Sequence, residues 1–313
     1  MPALPASIAS RLRIPAIAAP MLTVSGPELV AAACAAGVIG AFPTANANSV
    51  AQLDEWLSAI ADSTAGTANA PCAANLIMRS PRLDDDVEAL IRHEVPIVIT
   101  SVGSPEPVVA ALHAVGTVIL ADVATVQHAR HAIAAGADGL VLLSAGAGGQ
   151  TGHANAFAFP RAIREFFDGP LVLAGGVCDG YALRAAIVLG CDLGYVGTPF
   201  IATAESMASL DYKRMLVECS LDDIVLTRAF TGLPTSMLAP SIVAAGLNPA
   251  RLDEQVTPAQ SRELYGGPDA GMSKRWVGVR SAGHSVSAVH SVTSVPELVS
   301  KFDREYRAAL LVG

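Results

Sequence analysis

From Ile14 to Phe200 the chain alternates short apolar runs with amphipathic stretches. The apolar runs are Ile14–Met21, Val38–Phe42, Ala73–Met78, Pro96–Val102, Val118–Val123, Gly139–Ala145, Leu171–Val177 and Leu193–Phe200. Runs this short and this continuous predict strands buried on both faces, as in a parallel sheet covered by helices. The stretches between them carry helix punctuation. Pro27–Ala36 opens on Pro-Glu and stops at Gly37, and Asp84–His93 opens on three aspartates that suit the positive end of a helix. Thr125–Ala135 stops at Gly136 and Asp179–Leu189 at Gly190. Strand–helix alternation with right-handed crossovers predicts an α/β fold. Eight units favour a closed TM-free (β/α)8 barrel of the TIM type over a six-stranded open sheet.

After Phe200 the pattern changes. Residues 209–280 are more charged, are interrupted by Pro234, Pro240, Pro249, Pro258 and Pro268, and show no clear strands. They predict a mainly helical insertion or subdomain after strand eight. The organisation expected is therefore a barrel over residues 1–208, the insertion over 209–280, and a segment 281–313 that returns to the barrel. Helical periodicity over Val295–Leu311 closes its outer ring.

Composition supports a large core: 313 residues, 52% hydrophobic and 15% charged, with a net charge of −8. No basic run points to nucleic acid. Prolines and two arginines interrupt the N-terminal apolar stretch, which therefore reads as a barrel strand and not a signal peptide. No long uncharged apolar run predicts a membrane span. Five cysteines, scattered and without metal-ligand spacing, fit buried thiols in a reducing compartment. A cytoplasmic protein without a metal site, monomeric or homodimeric, is expected.

In a barrel the chemistry sits where the strands end. Here those ends carry Ala19-Pro20-Met21, Asn75, Asp122, the loop Gly146-Ala147-Gly148-Gly149-Gln150-Thr151-Gly152-His153, Gly175-Gly176 and Gly197-Thr198. Glycine turns at strands seven and eight predict a phosphate site, because backbone N–H groups can approach the oxygens closely and Thr198 adds a hydroxyl. The strand-six loop is neither a P-loop nor a dinucleotide fingerprint. Its glycines leave room for a flat ring or a substrate, and His153 is its group for proton transfer. His128 and His131, three apart on a helix, read as solvated. His93 and His113 lie on barrel helices away from the strand exits. His284, after Gly283, sits on a turn that could reach the mouth.

Taken in order, AAPM at strand one, Asn75-Leu76, AGAGGQTG, LAGGV, GTPF followed by Thr203-Ala204-Glu205-Ser206, and the late Gly283-His284-Ser285 resemble the nitronate monooxygenase (2-nitropropane dioxygenase) family across Ile14 to Leu310. The resemblance implies flavin mononucleotide (FMN), a small-molecule substrate and molecular oxygen. It implies that Ala19, Pro20 and Met21 line the flavin ring, that Asn75 hydrogen-bonds it, and that Gly148 and Gly149 flank it. It places the phosphate on Gly175, Gly176, Gly197 and Thr198, and His284 and Ser285 at the substrate. Two positions depart from the pattern. Gln150 stands where the family usually has histidine, and Asp122 stands at a cofactor position where it often has lysine. Gln150 has no basic group, so oxidation of pre-formed alkyl nitronates is expected over deprotonation of neutral nitroalkanes. The alternatives are an NAD(P)H-dependent FMN reductase of quinones or enoyl thioesters, and a flavin-binding protein without chemistry.

Overall fold

The structure, a computed structural model, describes residues 4–65, 69–255 and 278–311; Pro258 and Pro268 lie outside the described residues. Eight parallel strands close a barrel. Seven of its intervals are β1 (Ala16–Ala18), β2 (Ile39–Pro43), β3 (Cys72–Ile77), β4 (Ile97–Ser101), β5 (Val118–Val123), β6 (Gly139–Leu143) and β8 (Leu171–Ala174), and the eighth is β9 (Leu193–Val196). The break in numbering is β7 (Gly149–Gln150), a two-residue strand in the loop after β6. Each apolar run predicted as a barrel strand overlaps one, with β2 and β3 displaced by a residue at one end.

Two clusters explain why these sequences close. Ile17, Ile39, Ala41, Ala73, Ile97, Ile99, Leu120, Val141, Val172 and Leu193 point inward and fill the barrel. The alternate residues of the same strands pack outward against the helices, with Ala18, Leu140, Leu142, Leu171 and Val196 in one shared cluster. Both faces are apolar, so the strands show no alternation of apolar with polar. Leu4 and Ile8 extend the inner cluster.

Thr125 and Asp179 serve as helix N-caps, whereas Asp84–Asp86 lie in the first turn of Leu83–Arg92, whose N-cap Arg82 makes no side-chain cap bond. The Thr125 and Asp179 side chains accept from His128 N and Ala182 N at the starts of Val126–Ala134 and Gly180–Val188. The C-terminal helix, Val295–Leu310, packs against Gly180–Val188 and Pro27–Ala36 and so completes the outer ring. Its start is heavily tied down. Ser294 and Glu297 form a capping box, and Val295 N donates to both Glu205 oxygens at 3.0 Å. Beneath Glu205 lies the buried Lys213, whose Nζ donates to Ser206 O at 3.0 Å. Burial pulls the Lys213 ammonium down and Glu205 pushes it back up. The Thr-Ala-Glu-Ser stretch after strand eight is thus a clasp for the last helix. Glu205→Ala removes a charged acceptor at a helix start and the counter-charge of a buried ammonium. The expected loss is about 2 kcal/mol of stability in urea denaturation, with Glu205→Gln intermediate.

Two sequence expectations need correction. Strand eight does not run to Phe200: pairing stops at Val196, and Thr198–Ile201 is a helical turn with Pro199 at its start. The insertion also contains strands. Alongside the helices Leu210–Glu218 and Ala239–Ala244, β10 (Ile224–Thr227) and β11 (Thr235–Leu238) form an antiparallel hairpin. β11 pairs in turn with β7, matching Thr235 to Gln150 and Ser236 to Gly149. Four-residue strands, one wholly buried and its partner partly exposed, give too little alternation to register in the sequence.

Candidate active site

β8 and β9 pair Ala174 with Tyr195, which makes their exits, Gly175-Gly176 and Gly197-Thr198, neighbours. Ala19 N donates to Val196 O at 2.9 Å and brings the exit of β1 beside them. A β-carbon built on Gly197 would lie 3.6 Å from Met21 Sδ and 3.8 Å from the Ala19 β-carbon. Ala19, Met21, Gly176, Gly197 and Thr198 are therefore gathered at one end of the barrel, as the sequence predicts.

The two glycines of strand seven have different reasons to be glycine. Both adopt left-handed backbone, with φ of 112° at Gly175 and 75° at Gly176. A β-carbon on Gly175 would fall 2.5 Å from Ser144 Oγ and 3.0 Å from Ala147 N, so this position is spent on packing against the exit of β6. A β-carbon on Gly176 would meet nothing within 4 Å. Gly176 is the exposed, open half of the pair. Thr198 is 4% exposed, and its Oγ1 accepts from Gly283 N at 2.9 Å. A hydroxyl that accepts still has its proton to give.

The loop after β6 is clamped by the segment that follows the insertion. His284 N donates to Gly146 O at 2.9 Å, and the His284 ring lies so close to the Gly146 α-carbon that an added methyl would sit 2.6 Å from Nδ1. Gly148 faces the Ala282-Gly283 backbone in the same way, with Gly283 N 2.7 Å from its would-be β-carbon. Gly149 has nothing within 4 Å of that position. Of the two glycines expected to flank a ring, Gly149 is open on that side and Gly148 is covered. Ser285 follows, buried, in the short 3-10 turn His284–Ala288.

Gln150 is exposed and fixed in register by its pairing with Thr235. His153 is also exposed, but it lies past a return turn. Thr151 Oγ1 donates to Ser144 O at 2.7 Å, Gly152 abuts the Leu143 and Ala124 carbonyls, and Ala145 N donates to Ala154 O at 2.8 Å. Ala154 and Ala156 then pack into the outer layer. It is His284, not His153, whose ring is set against the glycine loop. The four histidines on the barrel helices stay remote. His93 pairs with Asp54 and His113 with Asp138, both at 3.0 Å, and His128 and His131 are exposed on their helix.

Inside the barrel the last inward positions of β3, β4 and β5 are polar. Asn75 is buried and donates through Nδ2 to Ile99 O at 3.0 Å. Ser101 gives its hydroxyl to Leu76 O at 3.4 Å. Asp122 stands two residues beyond Leu120, and its Oδ1 is buried with no hydrogen-bond partner. Burial alone pushes the Asp122 carboxyl up to about 7. Tyr195, packed against the inner cluster, is held well above the usual phenol range by burial and by the Asp122 carboxylate. Tyr195 was missed from the sequence, although it lies two residues before Gly197 and so shares that glycine's face.

A model of the nitronate monooxygenase family matches residues 7–304 of the chain. A nitronate monooxygenase of Paraburkholderia phytofirmans is 26% identical, with 95% of this chain and 93% of the relative aligned. A (3aS,4S,5R,7aS)-5-hydroxy-7a-methyl-1-oxo-octahydro-1H-indene-4-carboxyl-CoA dehydrogenase of Mycobacterium tuberculosis is 29% identical over 73% of this chain; the match spans 64% of that relative's length. Among solved structures, a nitroalkane oxidase from Streptomyces ansochromogenes superposes with a TM-score of 0.81 at 25% identity, covering 98% of this chain and 100% of its own.

Proposed function

Because this chain belongs to the nitronate monooxygenase family, we propose that it is an FMN-dependent oxidoreductase that oxidises alkyl nitronates with molecular oxygen. The observation that carries the reading is the open cradle at the ends of β8 and β9. Gly176 and Gly197 leave space where a side chain would stand, and Thr198 retains a hydroxyl proton to donate. That arrangement suits the phosphate of a mononucleotide. Ala19, Pro20, Met21, Asn75 and Gly149 would border the ring, with Gly148 and Gly175 holding the loops that shape its pocket. When bound, FMN supplies the electron acceptance from substrate and the return of those electrons to oxygen.

The protein's own part is to bind and orient. Gln150 offers an amide donor to a nitro oxygen, in a position fixed by the β7–β11 pairing. His284, anchored on Gly146, presents an imidazole to the same space, and Ser285 supports its turn. His153 is the second imidazole of the loop and would exchange protons with solvent from its outer limb. Gln150, standing where the family usually has histidine, has no basic group to take the carbon-bound proton of a neutral nitroalkane. General-base catalysis contributes on the order of a hundredfold or more. A nitronate is therefore expected to reduce the flavin about a hundred times faster than its parent nitroalkane at fixed pH. Anaerobic mixing, followed through the flavin's visible band, measures this, and admission of air should restore the band. Equal rates for both forms would sink the nitronate preference. A band that no nitronate bleaches would sink the oxidative reading.

The similarity to a CoA-ester dehydrogenase favours one second reading, an NAD(P)H-dependent FMN reductase acting on enoyl thioesters or quinones. Anaerobic bleaching by NADH or NADPH, but by no nitronate, would establish it. Among the described residues no helix is long and apolar enough to cross a membrane. A cytoplasmic monomer or homodimer is the setting we propose for either activity.

A further inference from the structure

Two residues beyond an inner-cluster residue of each strand, at the C-terminal end of the barrel, stand Ala19, Pro43, Asn75, Ser101, Asp122, Leu143, Gly176 and Gly197. Asp122 is the acid among them. Among the described residues none donates a hydrogen bond to its Oδ1. Asn75 spends Nδ2 on Ile99 O and Ser101 spends its hydroxyl on Leu76 O. β6, paired with β5 through Asp122 and Val141, presents Val141 and Leu143. β9 presents the Tyr195 phenol, which stays neutral. No lysine, arginine or histidine faces the carboxyl from these strands, and its Oδ1 is sealed from solvent without a partner. The side chain as a whole is half-buried, yet ionisation would leave charge on a sealed oxygen without a donor, whereas a neutral carboxyl has a proton to give.

We propose that Asp122 is held protonated and donates a hydrogen bond to the bound flavin ring, so that FMN binds to the proton-bearing form of the site. This rests on the reading of the chain as an FMN enzyme. The proton belongs to the protein and not to the cofactor's phosphate, and ionisation of Asp122 both removes the donor and sets a negative charge beside the ring. Asparagine at the same position donates through its amide at every pH.

Titration of wild-type protein and Asp122→Asn with FMN between pH 6 and pH 9, read by flavin fluorescence, tests this. The wild-type dissociation constant divided by the variant's should rise at least about tenfold across that range, the change concentrated above about pH 7. Ionisation of the FMN phosphate cancels in the ratio. A ratio that stays constant, with both proteins binding, overturns the role of Asp122 and leaves the FMN reading intact. Absence of binding by either protein at any pH overturns both. An infrared carboxylic-acid stretch in the wild-type protein at pH 6, fading as the pH passes 7, provides a check that needs no variant; its absence at pH 6 overturns the proposal.

Discussion

Gly176→Ala is expected to fold and to bind FMN about a hundredfold more weakly, whereas Gly175→Ala is expected to lose about 2–5 kcal/mol of stability. The two glycines are adjacent and both left-handed, so each substitution carries a backbone cost of about 1–2 kcal/mol. What separates them is the surroundings. At Gly175 the new methyl would meet Ser144 Oγ at 2.5 Å and Ala147 N at 3.0 Å. Ser144 cannot swing away freely, because its hydroxyl is engaged with Ala174 O at 2.6 Å. Overpacking here adds about 1–3 kcal/mol to the backbone cost and pushes the β6 loop off its seat. At Gly176 the methyl meets no protein atom within 4 Å, so the fold bears only the backbone cost. The methyl does occupy the space in which a phosphate would approach the backbone N–H groups. Loss of one or two charge-assisted hydrogen bonds, at roughly 1.5–3 kcal/mol each, weakens FMN binding by about a hundredfold. Thermal unfolding without cofactor and fluorescence titration with it separate the two effects. If Gly176→Ala bound FMN as the parent does, the phosphate would not lie in this cradle.

The barrel was legible because its strands obey one rule, apolar on both faces, and its helices end on glycine. The same rule blurs the strand exits. β1 pairs over Ala16–Ala18 only, and β9 gives way to a helical turn at Thr198. Apolar and small residues continue past the last ladder bond, with Ala19, Pro20 and Met21 at the exit of β1 and Phe200 packed into the outer core after β9. No change of period marks where pairing stops. The β10–β11 hairpin stayed hidden for another reason. Its third strand is two residues of a glycine-rich loop, and its pairing joins residues far apart in sequence, as with Thr235 and Gln150. Local pattern carries no trace of that.

Much of the site was readable as a set of strand exits, and the structure divides the set by what each residue touches. Gly-Gly in sequence does not say which glycine packs and which opens. A glycine before a histidine suggested a turn near the mouth, and His284 is indeed seated on Gly146, but nothing local distinguished it from His153. The distinction comes from the return turn at Gly152, a tertiary feature. Asp122 read in sequence as a departure from the family's usual cation. Its isolation is visible only once β4, β6 and β9 are placed around it.

That isolation has a stability consequence which does not depend on any cofactor. Asp122→Asn should stabilise the fold above about pH 7 and change nothing below about pH 4. Burial raises the folded-state carboxyl from its ordinary 3.8 to about 7, so the folded protein holds this proton more tightly than the unfolded chain does. Stability contributed by this group is therefore fully present below the unfolded value. It is lost as the pH climbs towards the folded value, and the loss is complete above it. About three pH units at about 1.4 kcal/mol each set an upper limit on the order of 4 kcal/mol at pH 8, reduced by the solvent that still reaches this half-buried side chain. Asparagine has nearly the same shape and no charge to desolvate, so the difference between variant and parent should grow from pH 4 to pH 7 and then level off. Urea denaturation at pH 4, 6 and 8 reads it directly. A variant less stable than its parent at pH 8 would mean that the carboxylate has a partner in the folded protein. A group that destabilises the neutral-pH fold and stands at the strand exits, beside the proposed flavin cradle, fits a position where proteins give up stability for function.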